Sequence, residues 1–150
     1  MITGWDVAAY DQDHHLVLAV EVKSKLHVSP EWAARLRRNI LAHGAFPNPP
    51  YFLMVFPDRF YLWTNPGKNS KPGKPTRSID ARPILRPYFK QSGVTADHVS
   101  EASLELITAA WLNDLIHRKP NEIDASQRWL LDSGLYDAVA GGSLQHQVLV

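Results

Sequence analysis

The chain has 150 residues, 45% of them hydrophobic, a formal net charge of +1 and no cysteine. That length suits one domain that buries roughly 68–70% of its unfolded surface; the apolar and aromatic content excludes a disordered chain, and the absent cysteines exclude disulfides and thiolate zinc sites. No basic-then-apolar leader and no run approaching the ~20 apolar residues of a membrane helix occurs, so a soluble, cytoplasmic protein without membrane contact is expected.

Charge is unevenly spread. Gly67–Lys90 carries seven basic residues and one acidic, whereas Gln91–Val150 carries three and eight. The expected organisation is a single domain with a sheet and crossover-helix core at 1–66, a basic Pro/Gly-rich loop at 67–92, and a helical part with a terminal strand at 93–150. A basic segment of this kind suits a phosphate backbone, although a solvated loop explains it as well.

In chain order, Trp5–Tyr10 reads as a short strand and Asp11–His15 as a polar turn. His14 and His15 are adjacent and face opposite sides of an extended backbone, which argues against a shared metal ion there. Leu16–Lys23 is apolar until Glu21, as expected of a central strand buried on both faces. Ser29 caps a helix that starts at Pro30 and runs to about His43, with Trp32, Ala33, Leu36 and Ile40 on its apolar stripe and Gly44 as its stop. Tyr51–Phe56 follows as a strand, reached by a right-handed parallel crossover, and Pro57-Asp58-Arg59 turns it into the hairpin strand Phe60–Trp63. Tyr61 and Trp63 suit base stacking at an edge or, more ordinarily, core packing.

Asn65–Thr76 reads as a loop, and Pro83–Lys90 as a short helix whose regularity Pro87 limits. Asp97 is expected to cap a long helix to about Ile116, with Leu104, Ile107, Trp111 and Leu115 on one stripe, Leu106, Ala110 and Ile116 nearby, and Glu101, Glu105 and Asp114 on its wet face. A second helix follows Asp124 and ends at Gly134; a short helical piece spans Leu135–Ala140; and Gly141-Gly142 leads into a terminal strand, Leu144–Val150, suited to pairing with a sheet edge.

The chemistry concentrates early. Side chains alternate across a sheet, so Glu21 and Lys23 share a face, and the Asp11–Asp13 turn folds Asp6 back beside Glu21. Two carboxylates, with the backbone carbonyl of Val22, suit a hard cation such as Mg2+ or Mn2+, and Lys23 suits charge stabilisation on a phosphorane.

Asp6 followed by Glu21-Val22-Lys23, a helix and another strand resembles the PD-(D/E)XK nuclease superfamily, with its restriction-endonuclease-like fold. The resemblance covers roughly the first sixty residues and implies an α/β (α+β) fold with a central mixed sheet of four to five strands flanked by helices. It implies a metal-dependent nuclease with Asp6, Glu21 and Lys23 catalytic and Asp6, Glu21 and Val22 at the metal. Lys25, Arg35, Arg37, Arg38, Lys68, Lys71 and Lys74 are the expected contacts to nucleic acid, DNA first. The superfamily usually places a helix, often with a further acid, and a strand before the aspartate; here Met1–Trp5 alone precede Asp6. The alternative is an inactive nuclease-fold binding module, with a homodimer or partner protein covering the bare sheet face. Other small-molecule enzymes lack support, since no Gly-rich phosphate loop and no Gly-x-Ser-x-Gly elbow occur.

Overall fold

A computed structural model describes residues 5–43, 49–64 and 73–146. Its strands are β1 (Val7–Tyr10), β2 (Leu16–Val22), β3 (Tyr51–Val55), β4 (Arg59–Thr64), β5 (Arg77–Asp80) and β6 (Ser143–His146). The helices are α1 (Pro30–His43), α2 (Arg82–Ser92), α3 (Glu101–His117) and two short ones, α4 (Trp129–Asp132) and α5 (Leu135–Val139). The result is a mixed α/β fold in which the strands form one sheet in the order β5-β4-β3-β2-β1-β6.

The sheet has six strands, not the expected four to five. The additional one is β5, which lies inside the segment read as a basic loop. It pairs antiparallel with β4, from Arg59 opposite Asp80 to Leu62 opposite Arg77. The other expected pairings hold: β1 with β2 antiparallel, β2 with β3 parallel across α1, and β3 with β4 as a hairpin. The terminal strand pairs with β1 of its own chain, Val7 opposite His146. Gly44, Lys68, Lys71 and the end of the expected terminal strand lie outside the described residues.

Alternation sorts the core into two layers. Val7, Val20, Val22, Leu53, Phe60 and Leu62 face α2, α3, α4 and α5. On the other face Ala19, Phe52, Met54, Tyr61 and Trp63 pack under α1, and Trp5 closes edge-on against Phe52 at 5.3 Å. Tyr61 and Trp63 are thus core residues; the Tyr61 hydroxyl donates to the Val28 carbonyl at 2.5 Å and the Trp63 indole N–H to the Gly73 carbonyl at 2.8 Å. The bare sheet face expected for want of a leading helix is not found, because β6 flanks β1 and α3 packs over that side. Leu106 is the one large apolar side chain exposed among the described residues. No described helix is long and apolar enough to cross a membrane.

Two helix starts are informative. Ser29 accepts the Trp32 N–H at 3.1 Å, the expected cap of α1. The cap of α3 is Ser100, which accepts the Ser103 N–H at 3.1 Å, and not Asp97. Three residues before Ser100, the chain is still in a turn closed by the His98 N–H on the Thr95 carbonyl.

Candidate active site

The ladder between β1 and β2 ends at Val7 opposite Val20. Two residues further along β2, Val22 is fully buried, and its N–H would be an orphan donor. Asp6 takes that proton: its Oδ2 accepts the Val22 N–H at 2.8 Å. On the other side Lys23 donates its N–H to the Val55 carbonyl at 2.9 Å. A residue's N–H and C=O project to the same side of a strand, so the Val22 carbonyl points toward Asp6 as well. Asp6 therefore terminates the strand pair and draws the backbone of Val22 into an acidic cluster.

Glu21 follows Ala19 on the α1 face and is 9% exposed. Burial first, then the neighbouring Asp6 carboxylate, pushes its pKa up to about 8, while the Lys23 ammonium pulls it down. A second acid feels the same centre. Glu105, one turn into α3, is raised to about 7 by burial, by the charges of Asp6 and Glu101 and by a hydrogen bond with Asp6, again opposed by Lys23. Asp6 thus stands between Glu21 and Glu105, with Lys23 close enough to act on both. His146 of β6 completes the rim, its Nε2 3.9 Å from Glu105 Oε2.

Asp6, Glu21, Val22 and Lys23 are accordingly brought together at one end of the sheet. Glu105 was expected on the wet face of its helix, and that is the main correction at the site. Of the three acids assigned to that face, Glu101 is exposed, Asp114 accepts the Tyr88 hydroxyl, and Glu105 turns inward. The available signal was spacing: Glu105, Thr108 and Leu112 form an i, i+3, i+7 line, and Thr108 and Leu112 are fully buried. Leu106, expected beside the apolar stripe, is instead 59% exposed.

The expected phosphate contacts separate. Lys25 is exposed, its ammonium 4.4 Å from the Trp32 ring centre. Arg35 and Arg38 line a cleft of about 560 Å³ with Lys74, Glu31 and Ser78, between α1 and the edge strand β5. Arg37 turns the opposite way: its guanidinium lies over Phe52 and Trp63 at 5.4 and 5.3 Å, and burial lowers its pKa. It packs under α1 and does not join Arg35 and Arg38.

Among the described residues, the group whose candidate ligand atoms all lie within 4.8 Å of one another is Asp11, Asp13 and His15; the acids around Asp6 are more widely spaced. Local turn bonding accounts for it. Asp11 Oδ1 accepts the N–H of both Asp13 and His15 at 2.9 Å, and Asp11 Oδ2 meets the His15 ring at 3.3 Å.

What the cluster at Asp6 can do follows from its charges. Burial and the crowding of carboxylates, only partly offset by the Lys23 ammonium, favour the protonated forms of Glu21 and Glu105. All the donors are hard oxygens, the set that suits Mg2+ or Mn2+. Comparison with protein-family models, with characterised proteins and with solved structures finds no match for this chain.

Proposed function

We propose that this chain is a divalent-metal-dependent phosphodiesterase acting on nucleic acid, a nuclease of the PD-(D/E)XK kind, with DNA as the first substrate to test. The observation that carries the reading is the convergence of Asp6, Glu21, Glu105 and Lys23 around the buried end of β2. Asp6, Glu21 and the Val22 carbonyl would hold the cation, and Glu105 would add a further oxygen donor. A divalent cation bound there supplies an acidified water and positive charge for phosphate oxygens.

The chain's own residues do the rest. Lys23, on the face of Glu21, directs its ammonium toward the charge that grows on phosphorus as water adds and the bond to the leaving sugar oxygen breaks. The raised pKa values of Glu21 and Glu105 mean that a bound cation would displace protons from them. A further point supports the family resemblance. The helix with an acid and the strand that usually precede the aspartate have counterparts here in α3, with Glu105, and β6, which pairs with β1; both come late in the chain. The inactive-module reading drew in part on an uncovered sheet face, and both faces are packed.

The test is cleavage of plasmid and of single-stranded DNA and RNA in Mg2+ or Mn2+, comparing wild type with Glu21→Ala and Glu105→Gln. Cleavage is expected in wild type and absent in Glu21→Ala. Glu105→Gln is expected to need roughly 10–100-fold more metal. A folded wild type that cleaves nothing with either metal overturns the proposal.

A further inference from the structure

On the helical face of the sheet, α2 carries Arg82, Arg86 and Lys90 at i, i+4 and i+8, a single exposed stripe about 12 Å long. Its opposite side anchors it: Ile84, Leu85 and Phe89 are buried in the core. The stripe forms one wall of a cleft of about 450 Å³ completed by Pro57, Phe89 and the Val94-Thr95-Ala96 segment.

This cleft opens at the same end of the sheet as the acidic cluster. Val55, the last residue of β3, pairs with Val22, and Pro57 follows it in the turn to β4. Asp58 in that turn accepts the N–H of His27 at 3.2 Å, which ties the loop after Lys23 to the mouth of the cleft. Arg59 opposite Asp80 brings β4 and β5 to the same level, and α2 begins two residues later. At about 4.8 Å between neighbouring strands, the step from β2 to β4 is about 10 Å. On the other side of the cleft, the chain runs from Ala96 through the Ser100 cap to Glu105 itself.

The cations are not equivalent. Arg82 is held by Asp80 in a paired fork, Nε to Oδ1 and Nη2 to Oδ2, each 2.9 Å, and the pairing draws Asp80 down to about 2. Arg86 and Lys90 have no acidic side chain paired to them among the described residues, so they are the charges available to a ligand. The cleft with Arg35, Arg38 and Lys74 lies on the α1 face, which Glu21 and Lys23 share, but it stands against the edge strand β5, three strands from β2, and Glu31 in its wall offsets its charge.

We propose that the Arg86–Lys90 face of α2 is the track that holds the phosphate backbone of the nucleic acid on its way to the acidic cluster, in preference to the α1 arginines. The inference rests on the nuclease reading and names where its substrate lies. Cations spaced along one wall neutralise successive phosphates, and Arg82, fixed by Asp80, borders the turn without contributing free charge. The apolar floor from Pro57 and Phe89 leaves room for sugars and bases without reading sequence.

The test is binding of fluorescent DNA and RNA oligonucleotides of equal length, by anisotropy across a salt series with Ca2+ in place of Mg2+. Wild type is compared with Arg86→Ala/Lys90→Ala and Arg35→Ala/Arg38→Ala, each shown folded by circular dichroism. The expected result is binding at least about tenfold weaker in the α2 variant, with a salt slope shallower by about 1–2, as for two lost phosphate contacts. The α1 variant should stay within about twofold of wild type on the same scale. An unchanged α2 variant beside a weakened α1 variant overturns the track and leaves the nuclease reading standing. Wild type that neither binds nor cleaves any nucleic acid overturns both.

Discussion

Replacing Lys23 with methionine is expected to lower metal-dependent cleavage by about 10²–10³-fold while leaving nucleic-acid binding nearly unchanged. Methionine keeps the aliphatic stem, so the change removes the charge and little packing. That charge acts on both Glu21 and Glu105. Its loss should leave the metal requirement unchanged or lower it, because a positive charge that repels the incoming cation is gone. Single-turnover cleavage of a plasmid measures the first effect, and a Mn2+ titration of the rate the second. Full activity in a folded Lys23→Met protein would remove Lys23 from the chemistry and reduce it to a surface charge.

The second large effect is on stability, and its sign is unusual for carboxylates. Glu21 is held at about 8 in the folded chain against an ordinary value of 4.5. Between those values the folded state keeps a proton that the unfolded state has lost, so this contribution to stability is fully present below about pH 4.5 and is lost as the pH rises through about 8. Glu105, at about 7, adds the same trend. Metal-free wild type should therefore melt at progressively lower temperature from about pH 5 to about pH 9. Glu21→Gln should flatten that decline and gain at least about 1 kcal/mol over wild type at the alkaline end, roughly 2–4 °C in Tm. Millimolar Mg2+ should stabilise alkaline wild type and have little effect on the variant. Thermal melts with and without chelator would decide it, and a wild type whose Tm rises over that range contradicts the assignment.

The same cluster shows what a linear sequence reveals. Glu21 and Lys23 were legible because a strand has a period of two and the apolar run stops at the residue where charge begins. Asp6 was legible through the turn that folds β1 back along β2. Glu105 was not, since its orientation depends on how α3 rolls over the sheet, and only the line it shares with Thr108 and Leu112 hinted at an inward face. Arg37 was misread for a similar reason: it neighbours Arg38 in sequence but reaches over Phe52 and Trp63 on the packed side. Strand β5 escaped because it is a short edge strand with one buried side chain, Ile79, between polar neighbours; pairing with β4 makes it a strand, and its own pattern does not. The α2 stripe was hidden by Pro87, which suggested an irregular piece. Set at the sixth of eleven residues, it forgoes the bond to the carbonyl of Pro83, and the helix nevertheless continues to Ser92.

The most direct measurement is calorimetric titration of metal-free wild type with Mg2+ or Mn2+ near pH 7, repeated in buffers of different ionisation enthalpy. A cation held by Asp6 and Glu21 must displace protons that Glu21 and Glu105 carry at that pH, so binding with proton release is expected, and Glu21→Gln should abolish or strongly weaken it. No binding by folded wild type at millimolar metal would contradict the central claim. So would binding that Glu21→Gln leaves intact and Asp11→Asn removes, which would put the cation on the turn at Asp11, Asp13 and His15.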